Sequence, residues 1–182
     1  QNTWVHMNNP QKATEKAKDL VRMAVAKAAY IEPLHQVSLE VKHAGLVVGG
    51  GVAGMEAALG IADQGYQTYL VERSDHLGGN ALWLRATWQG EKISPYVDAL
   101  IERVKGHANL RLFLNSEVIE TAGILGNFTT TIASAGETMT TTAIEHGVTV
   151  LATGGKEYQP TEFLYGQNPN ILTHKQMDEA MT

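Results

Sequence analysis

Residues 45–80 read GLVVGGGVAGMEAALGIADQGYQTYLVERSDHLGGN, and the fold is decided inside this stretch. "AGLVV" (44–48) is a short apolar run that enters three consecutive glycines. "VAGMEAALGIADQG" (52–65) is helical by composition and spacing, with Gly65 as its expected C-cap. "YQTYLVE" (66–72) alternates toward β structure. Strand, turn, helix and strand in that order make a βαβ unit, which predicts a parallel sheet and an α/β fold.

Gly49, Gly51 and Gly54 stand at GxGxxG spacing between the strand and the helix. The first glycine permits the tight turn, the second a close backbone approach to a pyrophosphate, and the third close packing of helix on strand. A pyrophosphate would rest at the helix N-terminus, where free amides and the helix dipole favour negative charge. Val52 and Ala53 complete that loop. Glu72 closes the second strand roughly 20 residues further on, where a carboxylate can accept hydrogen bonds from ribose hydroxyls. Such a carboxylate disfavours a 2′-phosphate. Arg73 beside it is read as packing near the adenosine end.

Gly78 and Gly79 form a second close-approach loop soon after Glu72. A nicotinamide dinucleotide gives no reason for a glycine pair there, whereas a flavin dinucleotide must run past this loop toward its ring. The amide of Asn80 can both donate and accept on that path. Later, "VTVLATG" (148–154) is an apolar strand whose end carries Thr153 and Gly154, with Gly155 next. Small residues there let the backbone pass beside a cofactor.

Around this nucleus the chain has 182 residues, enough for one domain and an appendage. It opens at Gln1 rather than Met, so a piece of a longer protein is expected. Asn9 and Pro10 announce a helix that runs on with Ala13, Ala17, Leu20, Val21, Ala24 and Ala28 on one face and ends before Pro33. "SPYVDALIERVKGHAN" (94–109) reads as a helix with Ser94 as N-cap, and "LRLFLN" (110–115) as a third strand. From about 117 to 144, Thr, Val and Ile recur between closely spaced glycines, which predicts an inserted antiparallel meander. The organisation expected is an N-terminal segment and linker helix over 1–43, a Rossmann-like three-layer domain over 44–160, and a tail over 161–182 leading to a second domain.

Composition removes several classes of function. A formal charge of −5 gives no basic surface for nucleic acid. Neither a secretory signal nor an apolar run of about 20 residues is visible, so no transmembrane segment and a cytoplasmic location are expected. The absence of cysteine removes disulfides, CxxC redox pairs and iron–sulfur ligands from this chain, and the seven histidines are scattered without metal-ligand spacing. No residue is assigned as a catalytic acid, base or nucleophile. His76 is the one tempting acid, but a loop histidine facing solvent is the simpler reading. Trp83 and Trp88 could flank the pocket, although packing is the commoner role for tryptophan. Redox chemistry would have to come from an organic cofactor.

The order GxGxxG, acidic strand end, GG, meander and "ATG" strand resembles the FAD-binding half of the two-dinucleotide-binding-domain flavoproteins. Within them, "TWVH", "ATEKAKDLVRMAVAKAA", "GGGVAGMEAAL", "LVER…LGGN", "LIERVKGHANLRLF" and "GNFTTTI" resemble the A subunit of heterodisulfide reductase and its relatives. The resemblance implies FAD as cofactor. It places Gly49, Gly51, Ala53 and Gly54 at the pyrophosphate, Glu72 and Arg73 at the adenosine ribose, and Gly78, Gly79 and Asn80 on the approach to the flavin. It gives the Val118 backbone to the adenine, and Thr153 and Gly154 to the far wall. It also implies a parent oxidoreductase passing electrons between a soluble donor and the iron–sulfur electron-transfer members of a larger complex, with clusters outside this stretch. Relatives often carry Cys-Ser before "WVH", where this chain has Asn2-Thr3. FAD is expected to bind this piece weakly, because enclosure by further chain is lacking. An NAD-binding dehydrogenase domain and a cofactor-free interaction scaffold are the alternatives.

Overall fold

A computed structural model describes residues 7–36, 38–136 and 139–180, and the chain forms two units, 1–38 and 39–182. The first unit contains helix α1, Pro10–Ala29. It begins as the Asn-Pro pair dictates, with the Asn9 side chain accepting a hydrogen bond from the Lys12 N–H at 3.3 Å. It stops at Ala29, short of Pro33. "TWVH" and Asn2-Thr3 lie outside the described residues.

The second unit starts earlier than the expected boundary at 43. The Lys42 N–H donates to the Gly126 carbonyl, the Asn127 side chain to the Glu40 carbonyl, and Lys42 pairs with Glu145 at 2.8 Å. Those contacts attach residues 40–42 to the meander. The unit then runs β1 (Ala44–Val48), α2 (Val52–Ala62), β2 (Gln67–Val71), α3 (Ser94–Gly106), β3 (Leu110–Phe113), β4 (Ser116–Ile124), β5 (Asn127–Ser134), β6 (Thr140–His146), β7 (Val148–Leu151) and α4 (His174–Ala180).

Four strands make a wholly parallel sheet in the order β3-β2-β1-β7, and three make an antiparallel sheet in the order β4-β5-β6. The meander therefore covers 116–146, slightly wider than the sequence indicates. Because strand side chains alternate, the parallel sheet is apolar on both faces. Val47 and Leu70 point to one side and pack with Met55 and Leu59 of α2 and Leu100 and Val104 of α3. Leu46, Val71 and Phe113 point to the other and pack with Ile132 and Ile144 of the meander. Helices, parallel sheet and meander are the three layers expected. Asn115, at φ 49°, turns the chain from one sheet into the other, a conformation asparagine tolerates better than most residues.

Two helix ends differ from expectation. In α3 the cap is Ile93, with Ser94 and Pro95 already inside the helix, and no side chain caps it. The hydroxyl of Ser94 is thus one position too far along to reach the orphan amides. In α2 the C-cap is Asp63. Gly65, at φ +91°, lies beyond it and donates its N–H to Ala62 at 2.9 Å.

The meander holds a buried polar chain. His146 and Thr130 are both fully buried. Only a donor satisfies the Val148 carbonyl, 3.1 Å from Nδ1, so the proton sits there and Nε2 accepts from the Thr130 hydroxyl at 2.8 Å. Thr130 in turn meets Thr121 at 2.9 Å, and Phe128 stacks on the imidazole. Burial pushes the His146 pKa below its ordinary 6.5, with the Val148 carbonyl opposing. The unfolded chain takes up a proton as pH falls through about 6.5 while the folded chain does not. Stability should be full above that pH and decline as pH falls toward the folded value. His146→Ala should cost about 2–4 kcal/mol near pH 7.5 and flatten this decline, measured by urea unfolding from pH 5 to 8.

Candidate functional site

At the carboxyl ends of the parallel strands, three loops meet around a trough of about 870 Å³. This is where open α/β sheets place their ligands. The first loop is the triple glycine. Gly49 adopts φ +111°, and a Cβ there would lie 2.2 Å from the Ala152 carbonyl oxygen, so only glycine permits the turn. Its N–H donates to Val71 at 2.8 Å. The first bond of α2 runs from the Met55 N–H to the Gly51 carbonyl. The N–H groups of Val52, Ala53 and Gly54 precede it, which is the geometry that receives an anion. A Cβ on Gly51 would meet nothing within 4 Å.

The second loop lies against the first. The Gly78 N–H donates to the Gly50 carbonyl at 2.8 Å, and Gly51 and Gly78 form a parallel bridge. A Cβ on Gly79 would come within 3.1 Å of the Gly51 Cα. Asn80 reaches across and donates to the Gly155 carbonyl at 3.1 Å, which ties this loop to the third, at the end of β7.

Glu72 fixes the other end. Its Oε2 accepts from the Gly50 N–H at 2.5 Å and its Oε1 from the Ser74 N–H at 2.7 Å. Its own N–H donates to Phe113 at 2.8 Å, and its carbonyl accepts from Ser116 at 2.9 Å. Partial burial raises the carboxyl pKa, but the backbone donors at Ser74, Gly50 and Arg73 together outweigh it and hold the group below its ordinary 4.5. It is therefore an anion at neutral pH. Both oxygens are held by the backbone, Oε2 by Gly50 and Oε1 by Ser74.

Gly49, Gly51, Val52, Ala53, Glu72, Arg73, Gly78, Gly79, Asn80, Val118, Thr153 and Gly154 all line this one trough. Gly54 does not. It is buried beneath the loop, and a Cβ there would lie 1.8 Å from the Gly49 carbonyl oxygen, so helix–loop packing holds this position to glycine. Gly50, Ser74 and Lys156 also line the trough and escape the sequence reading. Gly50 had a signal: it is the middle glycine of three, and a Cβ there would lie 2.5 Å from Leu77 and 3.0 Å from Glu72. His76 is paired at 2.5 Å with Asp75, its side chain 61% exposed, and takes no part in the lining. Trp88 is exposed, and Trp83 faces a neighbouring cavity instead. Among the described residues no group of three or more His, Cys, Asp or Glu could hold a metal, and no helix is long and apolar enough to cross a membrane.

Two glycines separate packing from ligand contact. Gly54→Ala should lose about 2–3 kcal/mol of stability in urea unfolding, because backbone must move. Gly51→Ala should stay within about 0.5 kcal/mol of the parent yet bind a dinucleotide more weakly.

Comparison with known proteins agrees with this geometry. The model of a family described as FAD dependent oxidoreductase matches residues 46–153, more than half of the chain. An iron-sulfur A subunit of the CoB--CoM heterodisulfide reductase of Methanopyrus kandleri is 44% identical over 131 residues, covering 71% of this chain and 20% of that protein. The A subunit of the H(2):CoB-CoM heterodisulfide,ferredoxin reductase of Methanothermobacter marburgensis is 47% identical over 127 residues, covering 69% and 19%. The chain thus spans about one fifth of the length of these relatives. Among solved structures, L-proline dehydrogenase from P. horikoshii superposes with a TM-score of 0.52 at 24% identity, over 69% of this chain and 25% of that one, a likeness of fold.

Proposed function

The chain belongs to the FAD-dependent oxidoreductase family, and from that premise we propose that it is the FAD-holding part of an oxidoreductase built like the A subunit of heterodisulfide reductase. FAD is its cofactor. The observation that carries the residue roles is the convergence of Gly51, Glu72 and Gly79 on one trough. The free amides at the α2 N-terminus, from Val52 and Ala53, receive the pyrophosphate. Glu72, anionic and held from behind by Gly50 and Ser74, accepts from the adenosine ribose, with Arg73 beside it. The backbone at Val118, next to Ser116 and Glu117 in the lining, borders the adenine. Gly78, Gly79 and Asn80 on one side and Thr153 and Gly154 on the other guide the cofactor toward its ring end.

The residues present fit such a molecule: anion-receiving amides in the middle, an acceptor at one end and glycine walls between. FAD supplies the electron-transfer chemistry that a chain without cysteine lacks. The chain's own groups bind it, orient it and keep the Glu72 acceptor charged. In the larger protein we place this unit between a soluble electron donor and iron–sulfur subunits in the cytoplasm. Its similarity to components of heterodisulfide reductases supports that reading.

Titration of the purified chain with FAD, 5′-ADP and 2′,5′-ADP tests the arrangement. FAD and 5′-ADP should bind, and 2′,5′-ADP should bind about 10-fold more weakly because its 2′-phosphate meets the Glu72 carboxylate. Glu72→Ala should weaken FAD by about 10-fold or more. Equal or better binding of the 2′-phosphorylated nucleotide would remove Glu72 from the ribose.

A further inference from the structure

At Asn80 the trough meets a second cavity, of about 950 Å³, and Asn80, Gly155 and Lys156 line both. On the FAD reading, the cofactor runs toward its ring end through this joint. The joint is bridged. Asn80 Nδ2 donates to the Gly155 carbonyl at 3.1 Å, so one side chain spans from the second glycine loop to the third.

The two ends of the bridge are held very differently. On the Asn80 side the loop is fixed in place. The Gly78 N–H donates to Gly50 at 2.8 Å, the Ala81 N–H to Gly78 at 3.2 Å, and residues Gly79–Leu82 form a turn of 3₁₀ helix. Gly79 lies so close to the first loop that a Cβ would come within 3.1 Å of the Gly51 Cα.

On the Gly155 side there is little support. The strand β7 ends at Leu151, and the Ala152 N–H makes the last bond of that end, to Val48 at 2.8 Å. The next attachment is Glu157, whose carboxylate accepts from the Lys175 N–H at 3.0 Å. Between those points the bond from Asn80 is the one hydrogen bond on residues 153–156 among the described residues. Packing does not replace the missing bonds. Thr153, Gly154, Gly155 and Lys156 are all exposed, and a Cβ on either glycine would meet nothing within 4 Å. Gly154 sits at φ +65°, from which glycine passes to negative φ at little steric cost. Exposed backbone with few bonds and few contacts is where a fold opens locally.

We propose that residues 153–156 are a hinged flap over the joint and that Asn80 is its latch. In the closed form the Asn80–Gly155 bond holds the flap against the second loop. The flap swings out to let the ring half of the cofactor pass. Asn80 acts here through Gly155, as a positioning residue. The passenger rests on the FAD reading, whereas the latch is a property of the chain alone. A single hydrogen bond of ordinary net strength makes the open form about 5-fold scarcer than it would be without the latch.

Two variants remove the latch: Asn80→Ala deletes the donor, and Asn80→Asp keeps the shape but turns a carboxylate toward the carbonyl. On the free chain, trypsin cleavage after Lys156 reads the flap, because slow cleavage tracks the population of the open form. Followed by mass spectrometry, the Lys156–Glu157 bond should be cut about 5-fold faster in both variants, and the bond after Arg103, inside α3, at the parent's rate. Stopped-flow mixing reads the passage. FAD should associate about 5-fold faster with both variants, and 5′-ADP, which stops short of the joint, no faster than with the parent. Cleavage after Lys156 at the parent's rate in both variants removes the latch. Cleavage that quickens equally after Arg103 does so too, since it reports a loosened fold. If FAD associates no faster and only leaves sooner, Asn80 is a cofactor ligand and the proposal falls. Should FAD fail to bind the parent chain, the dinucleotide reading is lost, and the proteolysis still decides the latch.

Discussion

The structure turns on one carboxylate accepting two backbone amides. Glu72 takes the N–H of Gly50 on one oxygen and that of Ser74 on the other. The glycine loop has too little side-chain bulk to hold itself in place, and its middle residue would clash with Leu77 and Glu72 if it carried a Cβ. A charge-assisted hydrogen bond from a strand end substitutes for packing. Because the Glu72 backbone also bonds Phe113 and Ser116, the same residue ties the glycine loop to the corner where the chain leaves the parallel sheet for the meander. The charge state of Glu72 and the loop architecture are therefore not separable at this position. The carboxylate that borders the trough is a group already oriented by the fold.

The two faces of the parallel sheet divide the remaining labour. On one face α2 and α3 bury aliphatic side chains, and the need for α2 to approach closely explains the small residues Gly54 and Ala58. That closeness aims the helix N-terminus at the middle of the trough. On the other face the meander covers Leu46, Val71 and Phe113 and brings Ser116, Glu117 and Val118 to the trough's far end. The meander keeps its own integrity through the Thr121–Thr130–His146 chain, whose tautomer is fixed by the Val148 carbonyl. Its acid response is thus separate from the charge state of Glu72.

Much of this was legible in the sequence because it rests on local rules. A GxGxxG between an apolar run and a helix, an acidic strand end and a Thr-rich stretch with spaced glycines are each written within a few residues of where they act. What escaped depends on partners far along the chain. The clasp from Glu72 to Gly50 and that from Asn80 to Gly155 appear only when the strands are in register. Gly54 fits the motif, yet its contact is with Gly49 rather than with the trough, a distinction spacing does not carry. At α3 the sequence offered a Ser-Pro pair that suits a cap, but the hydrogen bond from the Val97 N–H to the Ile93 carbonyl starts the helix one residue earlier. The attachment of residues 40–42 to the meander likewise needs Gly126, Asn127 and Glu145 folded into place.

One side of β7 remains. The strand pairs with β1 alone in its sheet, and Val148 and Leu151 stand substantially exposed. A short strand that pairs on one side alone among the described residues, with apolar side chains beside it, is a template for another extended segment. Concentrated preparations of this chain should consequently be sticky, and Leu151→Lys is the natural remedy for anyone wishing to crystallise or store it.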